Sequence, residues 1–140
     1  MINKVIFAGR ATAETCGPFE DWALISIGEP DATNGPAVIK DGWHDVLRLC
    51  FHDVDPNKSD NRPYTLMQEA DATLIIEFVQ RNAVSADVIF VHCRAGISRS
   101  AAVAKWIASH YKLSFDHGYT AYNEFVYNLL CEAAGEDSLS

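Results

Sequence analysis

"DVIFVHCRAGISRSAAVAKWIASHY", residues Asp87 to Tyr111, contains the order strand, loop, helix. Asp87–His92 is short and almost wholly apolar, the composition of a strand covered on both faces. Ser98–Tyr111 is rich in alanine, which suits a helix packed closely in the middle of a fold. Between them lies a short loop with one glycine, Gly96, which lets the backbone bend tightly. A loop of this kind places several backbone N–H groups at a helix N-terminus, where the helix dipole also favours negative charge. Such a nest fits a tetrahedral oxyanion such as phosphate.

The rest of the chain extends the same pattern. Lys4–Ala8, Trp22–Ile27 and Val46–Phe51 read as further buried strands, and Ala37–Lys40 as a weaker one at an edge. Leu66, Met67, Ala70, Leu74 and Phe78 share one face of a helix predicted over Thr65–Arg81. From about His117, a stripe of Tyr122, Phe125, Val126, Leu129 and Ala133 predicts the last helix. Strands alternating with helices indicate an α/β fold: one domain over residues 1–140, with a central, mostly parallel sheet of four to five strands flanked by helices. The small, acidic end Ala134–Ser140 reads as a flexible tail. Two loops are rich in turn formers, Gly28–Gly35 and Asp53–Pro63.

Composition narrows the function. The chain has 140 residues, 49% of them hydrophobic and 21% charged, with a formal net charge of −8. That charge argues against broad binding to nucleic acid or to an anionic membrane. No apolar run approaches the length of a membrane span, and the N-terminus lacks the pattern of a signal peptide, so a cytoplasmic monomer is expected. The four cysteines, Cys16, Cys50, Cys93 and Cys131, form no CxxC pair and give no zinc signature. They are expected to be thiols, and no metal or cofactor is expected.

Within the loop, Cys93 sits where a helix N-terminus and Arg99 both lower a thiol pKa and favour the nucleophilic thiolate. Arg99 brings a planar fork of donors matched to two phosphate oxygens. The loop Arg94, Ala95, Gly96, Ile97, Ser98 and Arg99 is the expected phosphate cradle. Arg94 either meets substrate or is simply solvated. Ser100 can offer its hydroxyl to the sulfur when sulfur must leave. His92 is expected behind the loop, hydrogen-bonding to backbone as a satisfied core histidine.

His92–Ser100, HCRAGISRS, resembles the His-Cys-x5-Arg-Ser/Thr signature of the cysteine-dependent protein tyrosine phosphatases. With the alanines that follow, it is most similar to the small dual-specificity phosphatases. The low-molecular-weight branch carries its loop near the N-terminus and does not fit a loop that starts at residue 93. The resemblance extends from about Trp22 to Ala133, but only His92–Ser100 is specific. It implies an aspartate 30 to 40 residues before the cysteine, on a loop, to protonate the leaving oxygen. "LRLCFHDVD" (Leu47–Asp55) offers Asp53 as first choice and Asp55 as reserve, with Asp60 third. "AYNEFVYNLL" (Ala121–Leu130) resembles the stretch that opens the last helix in these phosphatases. There Asn123 matches an asparagine that braces the active-site loops, Tyr122 stands in place of a common proline, and Val126 takes the apolar place. The chain between Tyr111 and Ala121 is shorter than in most of these relatives.

The implied activity is hydrolysis of phosphotyrosine in proteins or peptides, with phosphoserine and phosphothreonine as further candidates, through a cysteinyl-phosphate. A phosphate-binding module without turnover and a 5′-RNA phosphatase are the alternatives, the second opposed by the net charge. Three side issues stay open: a metal at His52 with Asp53 and Asp55, Tyr64 as an aromatic clamp or as packing, and Cys50 as a disulfide partner for Cys93.

Overall fold

In a computed structural model that describes residues 1–56 and 63–136, the chain forms four strands and four helices. In order these are β1 (Lys4–Gly9), α1 (Arg10–Thr15), β2 (Trp22–Gly28), β3 (Asp45–Cys50), α2 (Glu69–Asn82), β4 (Val88–Cys93), α3 (Arg99–Tyr111) and α4 (Glu124–Ala133). The sheet runs β1-β4-β2-β3, with every pairing parallel. Gly9 stands opposite Cys93 and Gly28 opposite Cys50. All four strands therefore end at one edge, and the loops that follow them gather there, as expected for ligand sites on open parallel sheets.

Alternation along the strands sorts side chains onto two faces. Ile25 and Ile27 of β2, Leu49 of β3, and Ile89, Val91 and Cys93 of β4 join the large core under α2, α3 and α4. Leu24, Phe90, Ala13 and Trp43 form a smaller core on the opposite face. Helix α3 is buried along Arg99–Ala104. Its alanines let it come close to the sheet and press its N-terminus against the end of β4. Trp106 of α3 is fully buried, and so are Phe78 of α2 and Leu130 of α4, the last two each worth ~1.5–3 kcal/mol.

Three expectations of element position need correction. Ala37–Lys40 is not a strand. Side chains serve its backbone instead: Val38 N–H donates to Glu14 Oε2 at 2.7 Å, and Ala37 O accepts from Arg48 Nη1 at 3.0 Å. The sheet thus has four strands. Helix α2 starts at Glu69 rather than Thr65, because Thr65 is drawn into the preceding loop. There its N–H donates to His52 Nδ1 at 2.9 Å and its carbonyl accepts from His52 N–H at 2.8 Å. The helix begins where Asp71 Oδ2 accepts the Gln68 N–H at 2.8 Å, a capping arrangement. Helix α4 starts at Glu124 rather than near His117, since Asp116 first makes a turn by accepting the N–H groups of Gly118 and Tyr119. Asn123 then caps the helix, its Oδ1 accepting from Val126 N–H at 3.0 Å. The six-residue α1 was not expected. Among the described residues, no helix is long and apolar enough to cross a membrane.

Candidate active site

The loop from Cys93 to Arg99 leaves β4 and enters α3 at the sheet edge where the strands end. Its path depends on Gly96, which has φ +72°. A Cβ there would overlap the Gly9 nitrogen and the Ala8 carbonyl carbon and lie 2.9 Å from Ala8 O. The loop is seated directly on the end of β1. Arg10 N–H donating to Arg94 O at 3.1 Å fastens it from the same side.

Cys93 is 2% exposed, and its Sγ lies 3.1 Å from Ser100 Oγ. Burial pushes the thiol pKa up. Hydrogen bonds from the Ser100 hydroxyl and from the backbone N–H groups of Ser100 and Gly96, with the charge of Arg99, outweigh that and hold it below the ordinary thiol value.

Arg99 is buried at the start of α3, its side chain 3% exposed. Nη1 donates to Phe51 O at 2.8 Å and to Gly28 O at 3.4 Å, and Nη2 donates to Glu29 Oε1 at 3.1 Å. Nε–H is buried and has no partner among the described residues. Nε–H is thus a guanidinium donor still to be satisfied. Arg94 is its opposite, with a side chain 79% exposed and 3.7 Å from Glu29 Oε2. A cleft of about 290 Å³ beside the loop is lined by Arg94, Arg10, Glu29, Asp31 and Asn34 among others.

Opposite the cysteine, β3 leads into His52 and Asp53. Asp53 Oδ1 accepts from Ser98 Oγ at 2.8 Å and from Asn123 Nδ2 at 2.9 Å. Asn123 Nδ2 also donates to Val54 O at 3.2 Å, and its backbone N–H donates to Ser98 O at 3.1 Å. Three segments, the loop after β3, the loop between β4 and α3, and the N-cap of α4, therefore meet at Asp53. Asp60 and Asn61 lie outside the described residues.

His92 is buried on the face opposite Cys93. Its Nδ1 lies 3.3 Å from Cys93 O and its Nε2 2.6 Å from Ser26 Oγ. A carbonyl only accepts, so Nδ1 carries the proton and Nε2 accepts from Ser26. Desolvation by burial lowers its pKa and keeps the ring neutral.

Geometry bears on the side issues. His52 has both ring nitrogens engaged: Nδ1 accepts the Thr65 N–H and Nε2 bonds Asp31 Oδ1 at 2.8 Å. Tyr64 packs edge-on against His52 with ring centroids 5.5 Å apart. Cys50 lies two strands from Cys93, with β2 between them. That separation is roughly 10 Å, beyond the roughly 7 Å that a disulfide spans. Leu49 faces the large core, so Cys50 also points to the other face.

Glu29, Ser26 and Tyr119 are site residues that the sequence reading did not single out. Tyr119 stacks edge-on with Phe7 at 5.2 Å, and its hydroxyl donates to Ile97 O. Burial raises its pKa, and the charge of Cys93 adds to that.

No protein-family model matches the chain, and no curated protein matches it. Among solved structures, the chain is similar to the one titled "Crystal Structure of PTPMT1 in complex with PI(5)P". The match covers 95% of this chain and 93% of that one, at 16% identity and a TM-score of 0.49. A likeness of that size carries no argument about chemistry, so the functional reading rests on the chain's own residues.

Proposed function

We propose that the chain is a cysteine-dependent phosphoric monoester hydrolase that acts on phosphorylated proteins or peptides, phosphotyrosine foremost. The observation that carries this reading is the convergence of three groups at one sheet edge. They are a buried cysteine with a lowered pKa, a buried arginine whose Nε–H has no partner among the described residues, and an aspartate tied to the loop between them.

In this mechanism the phosphoryl group sits in the loop Arg94, Ala95, Gly96, Ile97, Ser98 and Arg99, and two of its oxygens meet the Arg99 fork. The Cys93 thiolate attacks phosphorus in line, forming the P–S bond as the P–O bond to the leaving group breaks. Asp53 gives its proton to the departing oxygen, a contribution of roughly 10²- to 10⁴-fold. Asp53, now a carboxylate, takes a proton from the water that attacks the cysteinyl-phosphate. Ser100 donates its hydroxyl hydrogen to the departing sulfur. Most of the acceleration comes from positioning and preorganised charge. Ile97, 52% exposed at the rim, gives an aryl leaving group an apolar surface.

The test is hydrolysis of 4-nitrophenyl phosphate across roughly pH 4.5 to 8 in EDTA. Turnover is expected in the wild type, none in Cys93→Ser, and no basic limb in Asp53→Asn. Phosphate binding without turnover in the wild type overturns the reading in favour of a binding module.

A further inference from the structure

Two donors converge on one oxygen of Asp53. Ser98 Oγ and Asn123 Nδ2 reach Oδ1 at 2.8 and 2.9 Å. The orientation of the Asn123 amide is fixed, because its own oxygen accepts the Val126 N–H while its nitrogen also serves Val54 O. An amide N–H cannot accept. A proton on Asp53 Oδ1 would have to displace the Asn123 N–H or turn the Ser98 hydroxyl from donor to acceptor, so Oδ2 is the favoured seat for the acid proton.

We propose that Ser98 is a positioning residue for the general acid: its hydroxyl docks the Asp53 loop on the phosphate-binding loop and reserves Oδ2 for the transferred proton. This rests on the proposed hydrolase reading, in which Asp53 is the acid. As P–O cleaves, the proton on Oδ2 passes to the leaving oxygen. The carboxylate left behind keeps both hydrogen bonds on Oδ1, so the charge that appears in this step meets donors already in place. Of the two groups bonded to the acid, Ser98 alone belongs to the loop proposed to hold phosphate.

The leaving group separates this role from plain structural support. Loss of the Ser98 hydroxyl lowers kcat/KM by roughly tenfold for phenyl phosphate and less for 4-nitrophenyl phosphate, whose leaving group needs a proton less. Pure misfolding lowers both rates equally.

The experiment compares kcat and KM of Ser98→Ala, Ser98→Thr and Asp53→Asn on both substrates. The expected result is a larger loss on phenyl phosphate than on 4-nitrophenyl phosphate in the alanine variant, restored by threonine. Equal losses on the two substrates in Ser98→Ala, with the unequal loss kept in Asp53→Asn, overturn the role of Ser98 and leave the hydrolase reading standing. Wild-type rates, or equal losses on the two substrates, in Asp53→Asn overturn both.

Discussion

Replacing Gly96 with alanine tests whether the loop's path is imposed by contact with β1. Two costs add at this position. Holding a residue with a Cβ at φ +72° costs roughly 1–2 kcal/mol. The new methyl also meets backbone atoms of Ala8 and Gly9, which cannot rotate aside as a side chain would, and overpacking of this kind costs roughly 1–3 kcal/mol. The sum is about 2–5 kcal/mol. Gly135 provides the control, since it has φ +71° and nothing within 4 Å of a built Cβ. Gly135→Ala carries the backbone cost alone, about 1–2 kcal/mol. Urea unfolding of both variants gives the difference directly, because stability falls linearly with denaturant. The catalytic effect should be larger than the loss of stability suggests. Relief of the clash moves the loop off β1, and a displacement of about 1 Å in a positioned site costs about 10²-fold in rate. Equal destabilisation of the two variants, with full activity retained in Gly96→Ala, would refute the seating of the loop on β1.

Two further outcomes follow from the site. Because the Cys93 pKa is depressed in the folded state, the wild type should gain stability over Cys93→Ser as pH rises from the folded pKa to the ordinary thiol value. It should lose that gain as pH falls back through the folded pKa. Thermal unfolding of the pair across this window checks the sign, and a constant difference contradicts it. Glu29→Gln removes the carboxylate that holds Arg99 Nη2. We expect kcat to fall roughly tenfold, in line with loss of a hydrogen bond to a charged group, and KM to change less. Steady-state kinetics with 4-nitrophenyl phosphate checks this, and an unchanged kcat shows that Phe51 O and Gly28 O orient the arginine unaided.

The segment from Asp87 to Tyr111 was the most legible part of the chain, because a fully buried strand and a helix built on alanine both announce themselves in composition. The position of Asp53 at the shared sheet edge also follows from β3 ending there. Glu29 was not legible. It sits in a loop rich in turn formers, and its meaning appears only once β2 is known to lie between β3 and β4. Helix α1 has six residues and one buried side chain, too little for a periodic signal. Ala37–Lys40 resembled an edge strand because nothing in its own residues shows that Glu14 and Arg48 satisfy its backbone. Ser26 could have been found. It is the polar residue inside the apolar run WALISIG, His92 is the polar ring inside VIFVHC, and buried polar groups on neighbouring strands need partners.

The central claim is that Cys93 becomes phosphorylated during turnover. The measurement that tests it most directly is rapid acid quench of Ser100→Ala with 4-nitrophenyl phosphate, followed by peptide mapping by mass spectrometry. Loss of the hydroxyl 3.1 Å from the sulfur should slow breakdown of the intermediate more than its formation. A phosphoryl group on the peptide containing Cys93, absent in Cys93→Ser, is the predicted result. Continued turnover in Cys93→Ser, or a phosphoryl group on any other residue, would contradict the account.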